Sequence, residues 1–264
     1  MDGKVDFVIP FTLDAKQCYS HANTGYEHLE LEYVIRSIRK FCPWSGRIFV
    51  VGPKDSSIFP EYMRSEVICI PCGDPYTHIK DANIINKIKT AIESVPDLSE
   101  TFIKASDDQI VTKPCSISDF YPRIKYDMTG HLKEYESMMG TYSKADGSKT
   151  WNMAMLNTLK KFPRRAFFYE PHIWSPMNKH KFMEMCRTFD IENDTGIVIM
   201  SLYYNFVNHP PRGDYDHTYM HAGLDERQIK AIIISPTRHI AWVDKIFSYK
   251  LFREFLGKLL DLER

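Results

Sequence analysis

Thr101-Phe102-Ile103-Lys104-Ala105-Ser106-Asp107-Asp108-Gln109-Ile110-Val111 is the stretch on which the fold turns. Its first five residues form a short apolar run of the length and β-branched, aromatic composition of a buried strand. Two adjacent carboxylates follow, and the apolar character resumes at Ile110 and Val111. Open α/β sheets collect ligands at the carboxyl ends of their strands. Two carboxylates placed there suit a hard divalent cation, Mg²⁺ or Mn²⁺, whose other ligands are phosphate oxygens. Asp-Asp after a strand is also ordinary turn chemistry, so the surrounding chain decides its meaning.

Working outward, 5–11 (VDFVIPF), 47–51 (RIFVV) and 66–71 (EVICIP) read as three further strands. Between them, 27–41 carries apolar residues at 31, 34, 35, 38 and 41, and 80–94 carries Ile84, Ile85, Ile88 and Ile92; both are helical stripes. Strands alternating with helices predict an α/β fold with a mostly parallel central sheet flanked by helices. The second half is less regular. It predicts helices over 150–162 and 178–189, a strand over 166–170 and a long apolar run over 196–207. A polar loop over 208–225, a strand over 229–235 and an amphipathic terminal helix over 244–262 follow. There is no repeat or low-complexity linker, so 1–264 reads as one domain with an elaborated C-terminal half.

The chain has 264 residues and 34 basic against 34 acidic side chains, with 44% hydrophobic and 26% charged residues. Zero net charge excludes a globally basic nucleic-acid coat and an acidic disordered tail. No stretch is long and apolar enough to span a membrane, and the expected location is the cytoplasm, bacterial or that of a phage's host. The six cysteines are scattered, with one CxxC at Cys69 and Cys72 and no second pair to complete a zinc site; reduced thiols are expected.

Several side chains are candidates for chemistry. Lys80, Asn83 and Lys87 share one helix face by their spacing of three and four, offering two ammonium groups and an amide to a phosphate or sugar. Glu170 and His172 follow a predicted strand, beside Trp174, a ring able to stack on a sugar or base; either can serve as general base toward an acceptor hydroxyl. His209, His217 and His221 lie with Asp214 and Asp216 in the polar loop, which reads as a lid, with His221 as a third metal ligand. Lys160, Lys161, Arg164 and Arg165 form a basic corner, the first place to look for phosphate contacts if the acceptor were nucleic acid.

Ile9-Pro10-Phe11, then Glu30-Leu31-Glu32-Tyr33-Val34-Ile35-Arg36-Ser37-Ile38, Pro43-Trp44 and Phe102–Asp108 occur in the order found in GT-A glycosyltransferases. The pattern resembles the Stealth-type sugar-phosphate transferases still more, and Glu170-Pro171-His172 resembles their His-Pro element with the order reversed. The resemblance implies a GT-A-like, Rossmann-related fold, with 1–125 binding a nucleotide sugar and 126–264 binding the acceptor. It implies Mn²⁺ or Mg²⁺ on Asp107 and Asp108, with Asp108 central to catalysis. Ser106 stands first where the commonest form has an aspartate. It also implies nucleotide near Pro10, Phe11 and Thr12, and Lys80, Asn83 and Lys87 on the donor sugar or diphosphate. Phe11-Thr12-Leu13-Asp14 stands where the Stealth opening motif would be, which favours plain glycosyl transfer, hexosyl or pentosyl. The expected reaction moves a sugar from a nucleotide diphosphate sugar to a hydroxyl of a glycan, small molecule or hydroxymethylated DNA base. The alternatives are a Stealth-type sugar-1-phosphate transferase and a non-catalytic nucleotide-sugar-binding module.

Overall fold

The computed structural model describes residues 3–12, 27–52, 59, 61–76, 80–139, 147–169, 171–191, 196–210 and 216–261. The expected sheet is present. β1 (Val5–Pro10) leads to α1 (Glu27–Phe41), β2 (Ser45–Gly52), the single turn α2 (Glu61–Arg64) and β3 (Ile68–Pro71). Then come α3 (Lys80–Ser94) and β4 (Thr101–Lys104). β1 pairs in parallel with both β2 and β4, and β2 with β3.

Both faces of this sheet are covered, which is why its strands read as continuous apolar runs. Phe7, Ile9, Ile48 and Val50 point to one core with Leu31, Val34 and Ile38 of α1. Val8, Phe49 and Val51 point to a second core with Ala82, Ile85 and Ile88 of α3. Alternate residues of one strand thus feed opposite faces.

Beyond β4 the chain forms β5 (Gln109–Val111), β6 (Ile124–Asp127), α4 (Leu132–Met139), α5 (Gly147–Lys160) and β7 (Phe167–Tyr169). Next come β8 (Ser175–Asn178), α6 (Lys179–Thr188), α7 (Ile199–Phe206) and β9 (His217–Met220). The chain closes with α8 (Glu226–Ile234), β10 (His239–Trp242), α9 (Asp244–Phe247) and α10 (Lys250–Leu259). β8 joins the central sheet antiparallel to β4, completing the order β3-β2-β1-β4-β8. β5, β10 and β9 make a second, three-stranded sheet, and β6 and β7 a two-stranded ribbon.

Three expectations need correcting. The segment 229–235 lies in helix α8, because Asp225 caps its first turn and Gln228 returns the bond to the Asp225 amide. The polar segment 208–225 contains strand β9. The terminal helix is split, with α9 ending at Phe247 and α10 starting at Lys250. Among the described residues no helix is long and apolar enough to cross a membrane.

One carboxylate ties the amino end of the sheet together. Asp6 in β1 is buried and accepts from the Arg47 amide (2.9 Å), the Arg47 guanidinium (2.8 Å) and the Ser99 amide (3.1 Å). Burial alone raises the pKa of such a group. The Arg47 side chain and the two amides outweigh that and hold Asp6 below the ordinary aspartate value. Because the folded-state value is the lower one, this stabilisation is complete above the unfolded pKa of about 3.9. It is lost as pH falls through the folded value. Asp6→Asn is therefore expected to lose about 2 kcal/mol at pH 7, read from urea midpoints. Its stability should fall less steeply than the parent's between pH 5 and pH 3.

Candidate active site

The tip of β4 is a bend held between two sheets. The Ala105 amide donates to the Val8 carbonyl (2.9 Å), extending the pairing with β1 one residue past the strand. The chain turns at Asp107 and Asp108 and restarts as β5 in the second sheet. The Trp242 amide donates to the Asp108 carbonyl (3.1 Å), and the Trp242 indole donates to the buried Glu30 carboxylate of α1 (2.8 Å). Ser106, Asp107 and Asp108 are half-buried.

Oδ1 of Asp108 is buried with no hydrogen-bond donor. A carboxylate oxygen withdrawn from water and left without a donor costs free energy; a cation at that oxygen would remove the cost. The residues therefore fit a divalent metal. Among the described residues no group of three or more His, Cys, Asp or Glu is gathered for one. A cation here would draw its remaining ligands from phosphate oxygens and water, the coordination Mg²⁺ favours.

His172 lies on the segment that leads into β8. Lys104 at the end of β4 pairs with Ser175 at the start of the antiparallel β8, so residues 172–174 run past the β4 tip. The His172 ring stacks on Tyr219 of β9, centroids 3.9 Å apart and planes 17° from parallel. Tyr219 lies opposite Ala241, and Ala241 opposite Gln109. His172 is thereby fixed above a row of the second sheet that begins one residue after Asp108.

Other candidates are placed differently. Trp174 is fully buried, with Phe7 and Phe120 each 5.7 Å away, so its ring is core and not a sugar platform. His221 is exposed just past β9, its Nδ1 accepts from the Gly223 amide (3.1 Å), and it joins no metal group with Asp107 and Asp108. Glu170, Asp214 and the side chain of Lys80 lie outside the described residues.

The α3 face is occupied by protein. Asn83 is buried, accepting from the Tyr76 amide (3.0 Å) and donating to the Tyr76 carbonyl (2.8 Å). Both ends of its amide are used to pin the chain after β3. Lys87, 2% exposed, donates to the Phe11 carbonyl (2.9 Å) and the Thr12 hydroxyl, and pairs with Asp74 (2.7 Å). All three of its N–H groups have protein partners, so it shapes the carboxyl end of β1 instead of reaching a diphosphate. Thr12 in turn donates to Asp74 (3.0 Å). Phe11 is core, packed on Phe59, while Pro10 and Thr12 are half-buried at the strand end. Gly52 completes the arrangement: its φ is +150° and an added Cβ would overlap the Phe11 carbonyl oxygen. Asp74, Glu30 and Trp242 were not legible as site residues. Asp74 and Trp242 stand outside any motif, Glu30 heads a helix motif that says nothing of its partner, and all three roles depend on long-range contacts.

Residues 26–128 match Stealth protein CR2, conserved region 2 of that family. The window runs from α1 to β6 and includes Asp107 and Asp108, and the chain is Stealth-related. A capsular polysaccharide phosphotransferase of Haemophilus influenzae is 30% identical over 166 residues, 60% of this chain and 43% of that protein. An exopolysaccharide phosphotransferase of Mycobacterium tuberculosis is 24% identical over 195 residues, 67% of this chain and 36% of that protein. The chain thus spans less than half the length of these two relatives. A solved structure of LgtC aligns over 97% of this chain and 95% of its own at 10% identity, with a TM-score of 0.48.

Lys87→Met keeps the length of the side chain and leaves Asp74 without its cation. It is expected to lower stability by about 3 kcal/mol, read by urea unfolding. Amide exchange at residues 72–76 should quicken before that of β1 or β4. Unchanged exchange there would show that Lys87 does not hold this end of the sheet.

Proposed function

We propose that the chain transfers a sugar phosphate from a nucleotide diphosphate sugar to an acceptor hydroxyl on a polysaccharide, with Mn²⁺ or Mg²⁺ held by Asp107 and Asp108. The observation that carries the reading is the donor-less Oδ1 of Asp108, set within the window that matches Stealth conserved region 2. The names of the two bacterial relatives support phosphotransfer over the glycosyl transfer that the opening motif favoured.

In this reaction the acceptor oxygen attacks the phosphorus next to the sugar. The bond from that phosphorus to the bridging oxygen breaks, and the nucleoside monophosphate leaves with the bridging electrons. Asp107 and Asp108 would hold a divalent cation at the β4 tip, where it would supply positive charge to the separating diphosphate. His172, its ring plane fixed by Tyr219, accepts the acceptor proton. Lys87 and Gly52 keep the end of β1 in the shape against which the nucleotide lies, and alignment of the reactants supplies much of the acceleration.

The fate of a label on the sugar-side phosphate tests the reading. Phosphotransfer carries the label into the acceptor product, whereas glycosyl transfer leaves it on a released nucleoside diphosphate. Asp108→Asn should lower turnover with Mn²⁺ by about 10³-fold, and His172→Ala by about 10²-fold with KM for the donor little changed. Label on free nucleoside diphosphate overturns the phosphotransfer assignment, and no turnover of any nucleotide sugar favours a binding module.

A further inference from the structure

The Sγ atoms of Cys42 and Cys115 lie 3.2 Å apart, although 73 residues separate them in the chain. Cys42 follows the last residue of α1 and is fully buried; Cys115 lies beyond β5 and is half-buried. The two segments are already locked together. The Cys115 amide donates to the Phe41 carbonyl (3.1 Å), its thiol approaches the same oxygen (3.4 Å), and the Trp44 indole donates to the Cys115 carbonyl (2.7 Å). With the sulfurs in contact and the backbones hydrogen-bonded, closing a bond between them calls for side-chain adjustment and no rearrangement of the backbone.

We propose that Cys42 and Cys115 form an oxidisable dithiol, converted by peroxide to a disulfide that staples the end of α1 to the segment that follows β5. The half-buried Cys115 meets the oxidant first. Its thiolate attacks one peroxide oxygen, the O–O bond breaks, and hydroxide leaves with the thiol proton as water. The Cys42 sulfur then displaces the hydroxyl from the Cys115 sulfenic acid, and that hydroxyl leaves with the Cys42 proton as a second water. Two thiols and one peroxide give one disulfide and two waters. The bond closes a long loop, so it restricts the unfolded chain more than the folded one. It acts on stability whether or not the transfer reaction assigned above is correct.

The test is native oxidation of the whole chain with hydrogen peroxide, then alkylation, proteolysis and mass spectrometry. The expected product is a peptide pair joining Cys42 to Cys115, two hydrogens lighter than the thiols and separated by dithiothreitol. The oxidised protein should unfold about 5 °C above the reduced one. Cys115→Ala and Cys42→Ala should each abolish that rise, whereas Cys186→Ala should keep it. Cys42 is a core position, so if its variant does not fold, the half-buried Cys115→Ala carries the test alone. Sulfinic acid at Cys115 with Cys42 still free, a bond through any other cysteine, or two unreacted thiols would each overturn the proposal.

Discussion

A carboxylate oxygen buried without a donor, at the point where one sheet hands the chain to another, is the constraint on which this structure depends. The backbone at Asp108 is held in place. Its carbonyl is held by Trp242, whose indole is held by Glu30 on α1, while Ala105 is still hydrogen-bonded to β1. The bend is thus fixed from both sides before any ligand arrives, and a group that is pre-positioned need not be ordered when it binds. The antiparallel pairing of β8 brings the chain that leads into it toward the tip of β4, and Tyr219 fixes the His172 ring on that segment.

The parallel core was legible because its physics is local. Runs such as 5–11 and 47–51 are apolar apart from Asp6 and Arg47, and the structure shows why, with alternate side chains entering separate cores on the two faces. The acidic pair after β4 was legible for a similar reason: a strand followed by Asp-Asp is visible in eleven consecutive residues. The second sheet was hidden. β9 and β10 are four residues each, His217–Met220 and His239–Trp242, and they carry no alternating pattern strong enough to separate them from loops. The apolar cluster at 229–235 misled toward a strand, although the reciprocal Asp225 and Gln228 cap was present in the sequence as a helix signal.

The face formed by Asn83 and Lys87 shows where residue spacing stops informing. Both side chains do lie on the inner side of α3, but phase says nothing of what lies opposite. The face meets the ends of β1 and β3, and a buried lysine there is tolerable because Phe11, Thr12 and Asp74 all take its hydrogens. Polar residues expected to touch the donor instead brace the chain at the ends of β1 and β3. His221, expected as a third ligand beside Asp107 and Asp108, lies exposed past β9 with its Nδ1 accepting from the Gly223 amide.

The central claim is that Asp108 helps bind a divalent cation jointly with a diphosphate. Electron paramagnetic resonance of free Mn²⁺ during titration of the protein, with and without UDP, CDP or GDP, measures this directly. The account predicts that one of these nucleotides tightens Mn²⁺ binding at least about tenfold and that Asp108→Asn, still folded, abolishes the tightening. Identical Mn²⁺ binding by both proteins, unmoved by every nucleotide, would contradict it.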